Sequence, residues 1–220
     1  MLLCMKAKRK EQRKMKGTII CYGDSNTYGY DPQSLTGGRY PENICWTGIL
    51  QEKSGWLIKN HGVNGRCIPH NSSQIHFFCE QLRDWCKIKG PVRIWIMLGT
   101  NDCKERYCAT SKNIADGMKR LVCKAAATPA WREKAKILIV APAPIAPQCE
   151  QSKVAGEMGK CSAKSVELAE EFRKCAEECG CDFLDAGPVC TMNQIDFMHM
   201  DAASHDKFSA EIEKIVKRRV

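Results

Sequence analysis

A serine hydroxyl is a weak nucleophile at its free pKa, and it becomes useful only where a turn presents it to a base and to oxyanion donors. Ser25 stands in such a place. The tract Gly23-Asp24-Ser25-Asn26-Thr27-Tyr28-Gly29 follows the β-rich run Thr18-Ile19-Ile20-Cys21-Tyr22, so the serine falls where a buried strand would break into a turn. Acyl chemistry at Ser25 would then require partners elsewhere in the chain: a base, an acid to orient it, and donors for the oxyanion.

The elements that must position those partners follow from the hydrophobic pattern. Short apolar runs alternate with longer amphipathic ones, which predicts strands over residues 18–22, 56–60, 92–98, 136–141 and 182–185. Helices are predicted over 47–53, 72–88, 111–127, 162–179 and 203–217. Five βα units in this order imply a parallel sheet with helices on both faces and strands buried on both sides, an α/β fold of the three-layer α/β/α sandwich type. Such sheets bind ligands at the carboxyl ends of their strands. Four segments meet that rule: Gly23 to Gly29, then Gly62-Val63-Asn64-Gly65-Arg66, then Gly99-Thr100-Asn101-Asp102, and last Asp196-Phe197-Met198-His199. The proline-spaced stretch from Pro142 to about Lys160 is the one long loop, either a wall of a pocket or a plain surface connection.

Composition narrows the function classes. A chain of 220 residues suits one well-buried domain, expected over 16–220 and preceded by a disordered basic tail over 1–15. The net charge of +9 suggests a polyanion partner only until it is divided. Residues 1 to 16 hold seven Lys/Arg against the single acid Glu11, so six of the nine charges sit there. The remainder has no basic face for nucleic acid. No stretch has the length of a secretory core or a membrane span, which leads to an expectation of a cytoplasmic protein without a membrane partner. Met15 stands directly before the first strand and is an alternative start. The fifteen cysteines are odd in number and show no Cys-x-x-Cys spacing, so they are expected as reduced, small apolar core residues, with no metal site. The nearest approach to a cluster is Cys175, Cys179 and Cys181.

The four segments resemble the blocks of the SGNH hydrolases, or GDSL esterase family, in the family's order. Gly23-Asp24-Ser25 matches the first block, Gly65 the second, Gly99-Thr100-Asn101-Asp102 the third, and Asp196 with His199 the last. Trp46-Thr47-Gly48-Ile49-Leu50 and Met97 to Asp102 extend the likeness toward the bacterial aryl esterase and acyltransferase branch. The resemblance implies a flavodoxin-like five-stranded sheet and a serine esterase for short acyl or aryl esters. It implies no metal or organic cofactor, a small-molecule ester as partner, acyl transfer as an alternative second half-reaction, and homo-oligomers as in relatives.

The implied roles can be weighed residue by residue. Ser25 would attack the acyl carbonyl, and His199 would take its proton and return it to the leaving alcohol. Asp196, three residues earlier, lets one turn hold a carboxylate against the imidazole. Ser25 N–H, Gly65 N–H and the Asn101 amide would form the oxyanion hole. Among the other histidines, His61 lacks a local acid, His70 sits in a loop, and His76 and His205 fall inside helices. Asp24 reads as a turn residue or a pocket contact, Asp102 as a turn residue, and Asp201 as a helix cap. Tyr28, Tyr30 and Trp46 surround the pocket by sequence position, or are ordinary core aromatics. Relatives usually carry glycine after the triad acid, whereas Phe197 and Met198 fill the gap here and would line the pocket or shift the loop. Two further readings stay open: a deacetylase of O-acetylated sugars, and a non-catalytic binding protein that uses the basic tail.

Overall fold

The computed structural model describes residues 15–218. Its sheet contains β1 (Thr18–Gly23), β2 (Leu57–Gly62), β3 (Val92–Met97), β4 (Ile137–Ala141) and β5 (Asp182–Asp185), in the order β2-β1-β3-β4-β5. Every pairing is parallel. The helices are α1 (Ser25–Tyr28), α2 (Trp46–Ser54), α3 (Ser72–Cys86), α4 (Ser111–Ala126), α5 (Ala155–Met158), α6 (Ser162–Cys179) and α7 (Ala202–Arg218).

Successive side chains of a strand point to opposite faces, and that alternation builds two cores. Ile20, Tyr22, Ile94, Ile96, Ile137 and Ile139 pack with Phe78 and Leu82 of α3, Met118 and Leu121 of α4, and Phe172 of α6. Ile19, Cys21, Trp95, Met97, Leu138 and Val140 pack with Trp46 and Leu50 of α2 and with Phe208 and Ile212 of α7. The result is the expected three-layer sandwich. The sheet differs from expectation at its margins, where β2 and β5 are only partly buried. Both are edge strands, each with one neighbour, and only β1 and β4 are buried along their whole length.

Local signals explain the helix boundaries. Asn71 caps α3 by accepting from Gln74 N at 2.9 Å, and Thr110 and Asn113 form a reciprocal capping box on α4. Asp201 accepts from Ser204 N at 2.7 Å at the start of α7. Gly180 ends α6 in the left-handed conformation, φ 61°.

Strand β2 runs two residues beyond its predicted end, because its pairing with β1 continues to Gly23 opposite Gly62. There the backbone of β2 meets α1 closely: a Cβ on Gly62 would lie 2.1 Å from Tyr28 N and 2.5 Å from Tyr28 Cα. Backbone atoms cannot yield as a side chain can, so Gly62→Ala is expected to cost on the order of 1–3 kcal/mol, read as a lower midpoint in thermal unfolding.

The fourteen described cysteines are free thiols, of which seven are buried. Cys79, Cys179 and Cys181 pack half-buried against one core and Cys190 against the other, so most are core residues as expected, and Cys67, Cys108 and Cys123 are the exceptions. Cys123 of α4 joins the α6 group instead, with its Sγ 3.6 Å from that of Cys179. Apart from Met15, the basic tail lies outside the described residues. Among the described residues no helix is long and apolar enough to cross a membrane.

Candidate active site

Strand β1 ends at Gly23, and Asp24 turns the chain into α1. Asp24 is fully buried and accepts from Asn26 N at 2.9 Å, capping the turn that presents Ser25. Burial pushes its carboxyl up to about 6, against the pull of the Asn26 N–H, His199, Thr100 and Arg66. Asp24 thus lies beneath the turn and does not line a pocket.

The segment between β5 and α7 brings the last block to Ser25. His199 Nε2 lies 2.7 Å from Ser25 Oγ, and His199 Nδ1 lies 2.9 Å from Asp196 Oδ2. The second oxygen of Asp196 accepts from Asn193 Nδ2 at 2.7 Å and from the N–H groups of Met198 and His199, each at 3.1 Å. Burial pushes the Asp196 carboxyl up, but the hydrogen bonds from His199, Asn193 and the turn outweigh it and hold the group well below the usual carboxylate range. It is ionised at neutral pH and holds the imidazole by one face.

Asn26 fastens this loop to α1. Its amide donates to Met198 O at 3.2 Å and accepts from Met200 N at 2.9 Å. Trp46 Nε1 donates to Asn26 O at 3.1 Å while its ring meets Phe208 edge-on at 5.1 Å. Trp46 is therefore a core residue under the site, which corrects its expected place in the pocket: an indole satisfied on both its ring and its N–H has no face left for substrate. Met198 is likewise buried in the core on the α3–α4–α6 face of the sheet.

Tyr30 does lie at the site, its ring 4.5 Å from that of His199, whereas Tyr28 turns aside to the Arg39 guanidinium at 5.2 Å. Phe197 is half-buried in the turn between Asp196 and His199 with φ 62°, in the left-handed region that favours glycine. A side chain there carries strain of order 1–3 kcal/mol. Phe197 O accepts from Ala146 N at 3.0 Å, so the proline loop packs against this turn. The loop reaches across to Pro32 O through Lys153 Nζ at 3.4 Å and to Lys104 through Glu157.

After β2 the chain turns through Gly65, φ 75°, whose N–H donates to no protein acceptor among the described residues. Arg66 locks this turn by donating to Gly23 O at 3.0 Å and to His61 O, with its guanidinium 4.1 Å over Tyr22. After β3, Asn101 is 3% exposed, and its amide donates one hydrogen to Arg66 O at 3.2 Å. Asp102 accepts from Ile68 N through both oxygens, at 3.1 and 3.2 Å. Burial, reinforced by the charge of Asp24, pushes it up to about 7. It braces the turn, as Asp24 does.

The four segments thus converge at the carboxyl ends of β1, β2 and β3 and the loop after β5. Of the five histidines, only His199 reaches Ser25. His61 packs on Trp85 at 4.9 Å, His76 pairs with Glu80, and His205 accepts from Trp46 N at 3.3 Å. Burial lowers the His205 imidazole to about 4, which keeps it a neutral acceptor. Asn26 and Asn193 escaped the sequence reading, although an Asn three residues before Asp196 is the spacing of a side chain that organises a turn. A cavity of about 730 Å³ lined by Trp56, Trp131 and Lys136 lies at the opposite ends of the strands and shares no residue with this site.

The model of the GDSL-like lipase/acylhydrolase family matches residues 21–207. The chain belongs to that family. As a member it is a GDSL-type serine hydrolase acting on ester bonds. Solved structures agree in architecture. One chain is 30% identical with a TM-score of 0.83, the match covering 93% of this chain and 98% of its own. A carbohydrate acetylesterase from Sinorhizobium meliloti is 27% identical with a TM-score of 0.78, covering 93% and 100%. The native aryl esterase of M. smegmatis, at 24% identity and a TM-score of 0.79 over the same shares, shares the fold. Among curated proteins there is no significant match.

Proposed function

We propose that this GDSL-family hydrolase cleaves short-chain acyl esters through an acyl-enzyme on Ser25, with His199 as base and Asp196 as the acid that orients it. The unbroken chain from Ser25 Oγ to His199 Nε2 at 2.7 Å and from His199 Nδ1 to Asp196 Oδ2 at 2.9 Å carries this reading. Asp196 fixes the proton on Nδ1, so that Nε2 can accept the serine proton and later return it to the leaving alcohol. The carbonyl oxygen would gather charge among Ser25 N–H, Gly65 N–H and the free hydrogen of the Asn101 amide. Water, or a second alcohol, then takes the acyl group from Ser25.

A small acyl group is supported by the crowding around the nucleophile. Ser25 is 3% exposed and His199 8%, with the Tyr30 ring against the imidazole and Phe197 at the turn. The similarity to a carbohydrate acetylesterase supports an acetyl group on a polar alcohol as a second reading of the same site.

A panel of nitrophenyl esters from acetyl to decanoyl tests the chain length, with turnover expected to peak at the shortest acyl chains and a decanoyl optimum ruling them out. Incubation with a fluorophosphonate followed by peptide mass mapping tests the nucleophile, and the adduct is expected on Ser25 alone. Release of acetate from acetylated sugars would favour the second reading. Asn101→Ala is expected to lower kcat by about 10²–10³ with KM little changed, because the lost donor matters only once the oxyanion forms. An equal loss in substrate affinity would place Asn101 in ground-state binding instead.

A further inference from the structure

Asn193 is 7% exposed and bonded through every polar atom of its side chain. Its Oδ1 accepts from Ile195 N at 2.7 Å and Asp196 N at 3.0 Å. Its Nδ2 donates to Asp196 Oδ1 at 2.7 Å and His199 O at 2.8 Å. Its backbone N–H donates to the same His199 carbonyl at 2.9 Å. One residue therefore grips both ends of the turn from Asp196 to His199.

We propose that Asn193 is a positioning residue for ester hydrolysis, fixing through its amide which oxygen of Asp196 faces the imidazole and where His199 stands relative to Ser25. The proposal rests on the triad reading above. Three donors meet Asp196 Oδ1, and two of them, Met198 N and His199 N, belong to the turn itself. The third, the Asn193 amide, is the side-chain donor that sets the rotation of the carboxylate, leaving Oδ2 for His199 Nδ1. The same amide pins the His199 carbonyl, and with it the ring that reaches Ser25. Asn26 holds the loop to α1 through Met198 O and Met200 N but does not touch the carboxylate. A displacement of about 1 Å at such a site can cost about 10²-fold in rate.

Among the described residues, ionisable groups that interact with Asp196 include His199, Tyr40 and Cys149. Burial and its acidic neighbours push the Tyr40 phenol up to about 12, and the bond with Cys161 together with burial pushes the Cys149 thiol up. Both stay neutral near pH 7, so a carboxylate introduced at position 193 would have Asp196 as its charged opponent.

Asn193→Asp keeps the acceptor oxygen that holds Ile195 N and Asp196 N and replaces the amide donor with a carboxyl. Two carboxylates in contact cannot both ionise readily, so the pair holds a shared proton at low pH and loses it as pH rises. The kcat of Asn193→Asp on nitrophenyl acetate is expected to gain an alkaline limb, falling about 10²-fold where wild type stays level. Asn193→Ala should lose about 10- to 100-fold in kcat at every pH, with KM within about twofold. Ser25→Ala, assayed beside them, separates the two readings. If Ser25→Ala matches wild type, the triad reading falls and the role of Asn193 falls with it. If Ser25→Ala is inactive while Asn193→Asp follows the wild-type pH profile, or Asn193→Ala keeps kcat, the positioning role alone is overturned.

Discussion

Ser25→Ala is expected to lower kcat on a nitrophenyl acyl ester by about 10⁶ while leaving the thermal unfolding midpoint close to wild type. The loss is large because the hydroxyl supplies the bond that divides one difficult step into two easier ones, and no neighbouring group can replace it. Asn26 is turned to the loop backbone, and Thr27 lies beneath Gly23, where a Cβ on that glycine would meet its Oγ1 at 2.0 Å. The fold should tolerate the change, since α1 is held by the Asp24 cap, the left-handed Gly29 and the Asn26 clamp, none of which uses Oγ. Residual turnover above the water rate would come from the oxyanion donors and binding. Steady-state kinetics over the ester panel provide the measurement. A variant within tenfold of wild type would move the nucleophile away from Ser25.

Asp196→Asn is the second large effect, expected to cost about 10⁴ in kcat near neutral pH. The direction follows from the hydrogen bonds around the carboxylate. Oδ1 receives Asn193 Nδ2, Met198 N and His199 N, which are all donors. An asparagine at 196 must therefore place its carbonyl oxygen there and turn its NH2 toward His199 Nδ1. Nδ1 becomes an acceptor, the proton moves to Nε2, and the ring then presents N–H to Ser25 Oγ where a lone pair is required. The substitution exchanges one tautomer for the other with almost no change of shape, so stability should change far less than rate. The pH–rate profile and the unfolding midpoint, measured on the same preparation, distinguish this from a loosened loop. A fall in midpoint that parallels the fall in kcat would indicate loop damage.

Much of the architecture was legible because it rests on local pattern. The short apolar run Thr18-Ile19-Ile20-Cys21-Tyr22, and the longer amphipathic runs such as 111–127 and 162–179, locate strands and helices within a few residues. The carboxyl-end rule then ranked the four segments that the fold brings together. The misreadings share a physical cause, which is dependence on neighbours distant in sequence. Trp46 follows the long loop after Ser25, yet it enters the α2–α7 core because Phe208 and Asn26 satisfy its ring and its N–H. Strands β2 and β5 read as buried on both sides, but being last in the sheet order they have one neighbour each.

By itself the sequence determined the order of elements, the two faces of each strand and the presence of Asp196 three residues before His199, since all of these are set by spacing along the chain. The motif spacing pointed to His199 among the five histidines, but only the tertiary structure brings it to Ser25, because the pair is separated by 174 residues and touches only when the loop after β5 folds back to the end of β1. The tertiary structure also decided which oxygen of Asp196 faces that histidine. That choice depends on an asparagine amide and two backbone N–H groups converging on one oxygen in a buried turn, where leaving any of them without an acceptor would cost about 1–3 kcal/mol.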